Sequence, residues 1–232
     1  MASILQPTKG EYMGKAKALF SPARENAFDI AVSPERPTTG SRRLDDDRAG
    51  WMAQRRRLCS PLAKRVSSVL RAMTDSAFVI RRGVLLEHAP GTRNPVTWVD
   101  CLAVSAFGAF AINRYDWMGT VRCSANADEL LLHEKLGIVS VQTSPLRRAK
   151  PALRHLRVTL GAYNCPVECV AVFSALHCVL DPALPETILQ EVELHHFMRT
   201  RLKRFREQHS QYLDTDRISA HLQSCCADWG KI

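Results

Sequence analysis

Residues Val96 to Val121, V-T-W-V-D-C-L-A-V-S-A-F-G-A-F-A-I-N-R-Y-D-W-M-G-T-V, decide how this chain is read. Apolar and β-branched residues run from Trp98 to Val104, Gly108 breaks the run, and a second apolar run covers Ala109 to Ile112. Two such runs around a glycine predict a β-hairpin. The polar residues Asn113, Arg114 and Tyr115 close the second strand. One acid, Asp100, interrupts the first. A carboxylate in an apolar strand costs free energy unless it is paired, hydrogen-bonded or metal-bound, or unless it faces water at a strand edge.

Working outward, Ser60-Pro61 predicts a helix start, with Ser60 as N-cap and Pro61 at the first turn. Leu62, Val66, Val69, Leu70 and Met73 follow at helical spacing. Phe78 to Glu87 predicts a strand. Beyond the hairpin, Val121 to Cys123 continues as a strand, and about Ala127 to Leu136 predicts a helical piece. Ser144-Pro145 predicts another helix start. That helix buries Leu153, Leu156 and Leu160 and carries Arg147, Arg148, Lys150, Arg154 and Arg157. Val167 to Ser174 is a further strand. Leu184-Pro185-Glu186 predicts the opening of a last helix, with Leu194, Phe197, Met198, Leu202 and Phe205 on one face. Arg199, Arg201, Lys203, Arg204 and Arg206 occupy the other. The remainder, His209 to Ile232, reads as partly helical.

The 232 residues are 46% hydrophobic, enough for one domain of about 150 residues with flanks. The expected organisation is an arm over 1–58, a domain over 59–208 and a tail over 209–232. Within the arm, Ser33 to Arg48 is polar and turn-rich and predicts a mobile linker. Lys15 to Phe20 and Gly50 to Arg57 predict short helices. Arg55-Arg56-Arg57 reads as a solvated charged face or as a contact to phosphate or an acidic partner. No apolar run approaches the roughly 18–20 residues of a membrane span, so no integral membrane insertion is expected. The first residues lack a signal-peptide pattern, so a cytoplasmic protein is expected.

The net charge is +9 and the isoelectric point about 9.4. This balance favours nucleic acid, anionic lipid or an acidic protein as partner. Eight cysteines include Cys165 and Cys169 at C-x-x-x-C spacing and Cys178 beside His177, but no C-x-x-C pair. Zinc sites usually show two close ligand pairs, so these cysteines are read chiefly as small buried hydrophobes.

The hairpin resembles the core of the nuclease-related domain (NERD) family, which belongs with the PD-(D/E)xK nucleases. The family's hairpin reads roughly I-D-H-V-V-V-x-x-x-G-I-F-V-I-E-T-K-N-Y-x-G-x-I. Val99 to Val121 lies on it without a gap, placing Asp100 on the Asp, Gly108 on the turn Gly and Gly119 on the later Gly. Asn113 stands where the family has Glu, and Tyr115 where it has Lys. Ala63 falls on the family's helical Glu, and Arg148 on the Gln of its N-P-x-x-Q. The order helix–strand–loop–hairpin, with a late V-x-x-V-V-V-F strand matched at Val167 to Phe173, is also shared over about residues 60–200.

The resemblance implies an α/β fold: a restriction-endonuclease-like central mixed sheet flanked by helices, here with an N-terminal arm and a helical C-terminal extension. It also implies a mostly bacterial family linked to DNA processing, including on mobile elements. In active members paired acids hold Mg²⁺, which needs anionic oxygen ligands, while the lysine helps place the attacking water. At the motif-equivalent positions Asp100, Asn113 and Tyr115, only Asp100 remains as a metal ligand, so the site is read as degenerate and Mg²⁺ is implied only if cleavage survives.

Three readings stay open. The first is a cleavage-impaired binder of nucleic acid through Arg147, Arg148, Lys150, Arg154, Arg201 and Arg204. The second is an active metal-dependent nuclease with ligands relocated to Asp116 or Glu87 and charge supplied by Lys150 or Arg148. The third is a structural or adaptor subunit of a larger assembly, bound to an acidic protein.

Overall fold

Apolar alternation along Val79–Glu87 (β1) and Val96–Ser105 (β2) produces two strands paired antiparallel from Val79↔Val104 to Glu87↔Val96. Ala106 and Phe107 then turn the chain into β3, Gly108–Tyr115, which pairs antiparallel with β2 as far as Cys101↔Ile112. This computed structural model describes residues 54–92 and 95–225. The linker over 33–48, the helix expected over Lys15 to Phe20 and the rest of 1–53 lie outside the described residues. So does the end of the tail.

Two mixed sheets result. The larger has the order β1-β2-β3-β7-β9, where β7 is Val167–Phe173 and β9 is Ile188–Gln190, each parallel to its neighbour. The smaller has the order β6-β5-β4-β8, built from Val139–Thr143, Glu129–His133, Gly119–Cys123 and Cys178–Leu180. Helices cover both faces of the larger sheet. On one side α1 (Ser60–Met73) and α3 (Leu194–Gln208) bury Val66, Leu70, Leu194 and Met198 against Cys101, Ile112 and Val172. On the other, α2 (Pro145–Thr159) and α4 (Thr215–Cys225) bury Leu156, Ile218 and Leu222 against Leu86, Leu102 and Ala111. A third cluster joins the sheets through Val121, Leu132 and Phe173. No helix among the described residues is long and apolar enough to cross a membrane.

Gly83 turns one strand pair over. Ile80 packs with α1, whereas Val84 and Leu86 pack on the α2 side, although all share the same alternation. Between them Gly83 adopts φ +59°, a left-handed conformation that glycine tolerates without penalty. A Cβ there would come within 2.5 Å of the Arg56 side chain and 2.7 Å of the Trp98 ring. Gly119, at φ +126°, is required for another reason: a Cβ would collide with the His133 carbonyl.

The structure corrects some boundaries. The helix expected over about Ala127 to Leu136 is β5 followed by a short 3-10 turn, Lys135–Gly137. Leu130 and Leu132 are buried at a spacing of two, a strand signal that the brief apolar run concealed. The last helix does not open at Leu184-Pro185-Glu186. Ile188 and Leu189 pair with β7 first, and a capping box of Gln190 and Glu193 precedes α3, with the Gln190 N–H donating to Glu193 Oε2 at 2.7 Å. The N-cap of α1 is Cys59, one residue before the expected Ser60. Residues 54–58 are helical and lead into α1. The buried stripe of α3 is as expected, and α4 supplies the helix expected in the tail.

Candidate functional site

The hairpin strands part beyond Cys101↔Ile112, and side chains there replace backbone pairing. The Asp100 N–H donates to Asn113 Oδ1 at 2.9 Å. In return the Arg114 N–H donates to Asp100 Oδ2, also at 2.9 Å. The two motif-equivalent positions thus staple the splayed end of β2 to β3.

The other carboxylate oxygen is also engaged. Trp98 donates its indole N–H to Asp100 Oδ1 at 2.7 Å, and the Cys59 thiol donates to the same atom at 3.3 Å. Arg55 Nε lies 3.7 Å from it, with its guanidinium 5.3 Å from the Trp98 ring centre. The Asp100 side chain is only 10% exposed. A buried carboxylate with protein donors on both oxygens is satisfied as an anion. A divalent cation there would have to displace those donors. Burial, and next the charge of Asp100, push the Cys59 thiol up to about 12, so it remains a neutral donor.

Tyr115 completes the set differently. Its ring stacks on Phe173 at 5.4 Å and meets Trp117 edge-on at 5.6 Å, within the cluster that joins the sheets. Burial pushes its hydroxyl up to about 12, with Arg148 pulling it down and Asp100 pushing it up. It supplies bulk and a neutral hydroxyl at the position where the resemblance implies a cation. Ala63 lies on the buried face of α1. Asp116 is engaged elsewhere, accepting from Arg114 Nε at 3.0 Å and from the Ser174 hydroxyl at 2.6 Å. Glu87 pairs with Val96, four residues along β2 from Asp100, or about 13 Å of extended chain. Among the described residues, no group of three or more His, Cys, Asp or Glu side chains is arranged to hold a metal. Cys59, Cys101, Cys169 and Cys178 are buried free thiols.

The cationic residues separate into two settings. On α2, Ala149, Ala152 and Leu156 face the sheet, which leaves Arg147, Arg148, Lys150, Arg154 and Arg157 exposed. Arg147 pairs with Asp128. No ion pair forms to Arg148, Lys150 or Arg154 among the described residues. The helix borders a surface hollow of about 660 Å³, lined by Arg147, Lys150, Arg154 and His155 together with His88 from the loop after β1.

On α3, Arg201 lies 2.7 Å from Glu168 of β7 and 2.9 Å from Glu186, over the Phe197 ring. Arg204 joins Glu186 at 3.2 Å. Donation from Arg201 and then Arg204 holds the Glu186 carboxyl below the usual carboxylate range. Of the six arginines and lysines expected at a nucleic-acid surface, α2 therefore presents four outward, whereas Arg201 and Arg204 are occupied within the fold.

Arg55, Cys59 and Trp98 are the partners of Asp100 that sequence reasoning missed. Trp98 is two residues away on the same strand and carried a readable signal; Arg55 and Cys59 come from a separate helical segment and carried none. No protein-family model, curated protein or solved structure matches this chain.

Proposed function

We propose that this chain binds nucleic acid on a nuclease-like scaffold whose cleavage chemistry is impaired. One observation carries the reading: the Asp100 carboxylate is occupied by Trp98, Arg114, Cys59 and Arg55, while Arg148, Lys150 and Arg154 on α2 are exposed and form no ion pair among the described residues. The first removes a vacant metal ligand, and the second leaves a strip of positive charge suited to phosphates. The NERD-like hairpin, the central mixed sheet and the helix–strand–hairpin order support a restriction-endonuclease-like scaffold. On this reading the protein works in the cytoplasm, in DNA processing, including on mobile elements.

The test is a purified-protein assay on single- and double-stranded DNA and RNA with Mg²⁺ or Mn²⁺, beside Asp100→Ala. We expect no metal-dependent cutting, and binding that weakens linearly in log–log with salt. Asp100→Ala should cost roughly 2–4 kcal/mol of stability, because buried donors and Arg55 lose their acceptor. Metal-dependent cutting that disappears in a folded Asp100→Ala protein would restore the active-nuclease reading.

A second reading, an adaptor subunit, is favoured by the edge strand β6, where Val139 and Val141 are 50% and 53% exposed. Stable association with a partner that slows hydrogen exchange along β6, together with negligible nucleic-acid affinity at physiological salt, would favour it.

A further inference from the structure

The hollow beside α2 contains more than fixed charge. Lys150 and Arg154 stand one helical turn apart on its α2 wall, and His155 lies next to Arg154. His88 reaches the same hollow from the loop after β1. Its Nε2 lies 2.8 Å from Thr97 Oγ1. We propose that this hollow binds a phosphate group, with Lys150 and Arg154 as permanent cations and His88 as a cation that the bound phosphate recruits. Assigning that phosphate to a nucleic-acid strand rests on the reading above; the site itself does not.

The environment of His88 favours such recruitment. Burial, then the charge of His155, hold its imidazole below the ordinary range, so it is neutral in the empty hollow at neutral pH. The other charged groups bordering the hollow are Arg147, Lys150 and Arg154 on α2 and Asp128 before β5, and Asp128 is paired with Arg147. Glu87 adjoins His88 in sequence, but strand alternation puts it on the face opposite Leu86, away from α2. The field at His88 is therefore mainly positive. An anion in the hollow reverses its sign and favours protonation. The resulting imidazolium keeps an oxygen partner at Thr97. Phosphate binding and proton uptake at His88 are then linked, and each strengthens the other.

The test follows the His88 ring resonance by NMR during pH titration of the full chain. Spectra are recorded alone, with inorganic sulfate, and with short single strands bearing a 5′-hydroxyl or a 5′-phosphate. Sulfate carries a fixed charge through this range and isolates the protein's own titration. We expect sulfate to move the His88 midpoint to higher pH, and Lys150→Ala/Arg154→Ala to abolish that movement. His88→Gln should weaken sulfate binding about fivefold near pH 6 and leave it unchanged near pH 8. A 5′-phosphate strand bound more tightly than its 5′-hydroxyl counterpart assigns the hollow to a strand end. Equal binding, with the His88 midpoint raised by both strands, assigns it to internal phosphodiesters. Sulfate binding without strand binding upholds the site and defeats the nucleic-acid reading. Salt-sensitive strand binding with an unmoved His88 upholds that reading and overturns the site.

Discussion

Helices α2 and α3 look alike as sequence: each has an apolar stripe and an arginine-rich outer face. In the fold they differ in what lies beside them. Arg147, Lys150 and Arg154 of α2 border the hollow, and the nearby carboxylate of Asp128 engages Arg147. On α3, Arg201 meets Glu168 on β7, and Arg201 and Arg204 meet Glu186 before β9. Formal charge along a helix therefore says little about the field it presents. Acids brought in by other elements decide whether an arginine is offered to a partner or holds the fold together.

Arg201→Ala should break the comparison most visibly, since its side chain is only 12% exposed and Glu168 only 26%. Removing one member of such a pair leaves the other partly buried without a partner. We expect a loss of about 2–4 kcal/mol in chemical denaturation, with nucleic-acid affinity unchanged once the protein is folded. A stable Arg201→Ala protein with weakened binding would mean that α3 faces the ligand after all.

The converse substitution is Lys150→Ala/Arg154→Ala. Both side chains are exposed and form no ion pair among the described residues, so stability should stay within about 0.5 kcal/mol. Affinity for a single-stranded oligonucleotide should fall about tenfold, and the log–log salt slope should drop by about 1 for each phosphate that is no longer neutralised. An unchanged slope would detach α2 from the binding function.

This contrast also shows which parts were legible from the chain. The hairpin, β1 and β7 were readable because alternation and β-branched content carry the strand signal locally. Asp100 was conspicuous because a lone acid in an apolar strand needs a partner. Its partners were less readable: Cys59 is 41 residues away in sequence and meets it only through the packing of the segment leading into α1. Glu168 and Glu186 were hidden from a reading of α3 for the same reason, since long-range register places them there. β5 and β9 were missed because short apolar runs suit strand and helix alike, and sheet pairing chooses between them. The α2 surface was readable because helical spacing alone turns its arginines and lysines away from the buried stripe of Ala149, Ala152 and Leu156.

Lys203 offers the finest test of the two settings. It is 79% exposed, and among the described residues its ion pair is an i,i+4 contact to Glu207 at 4.0 Å. Such surface pairs contribute about 0.3–0.5 kcal/mol at most, so Lys203→Ala should barely move a denaturation curve. It nevertheless removes a cation from α3 that is neither buried nor engaged by Glu168 or Glu186. If the outer face of α3 touched phosphate, losing Lys203 would lower the salt slope by about 1 without a stability change to confuse the result. An unchanged slope is expected, and it would locate binding on α2 without relying on a destabilised variant. Arg201→Ala cannot separate those effects so cleanly, because it changes fold and charge together.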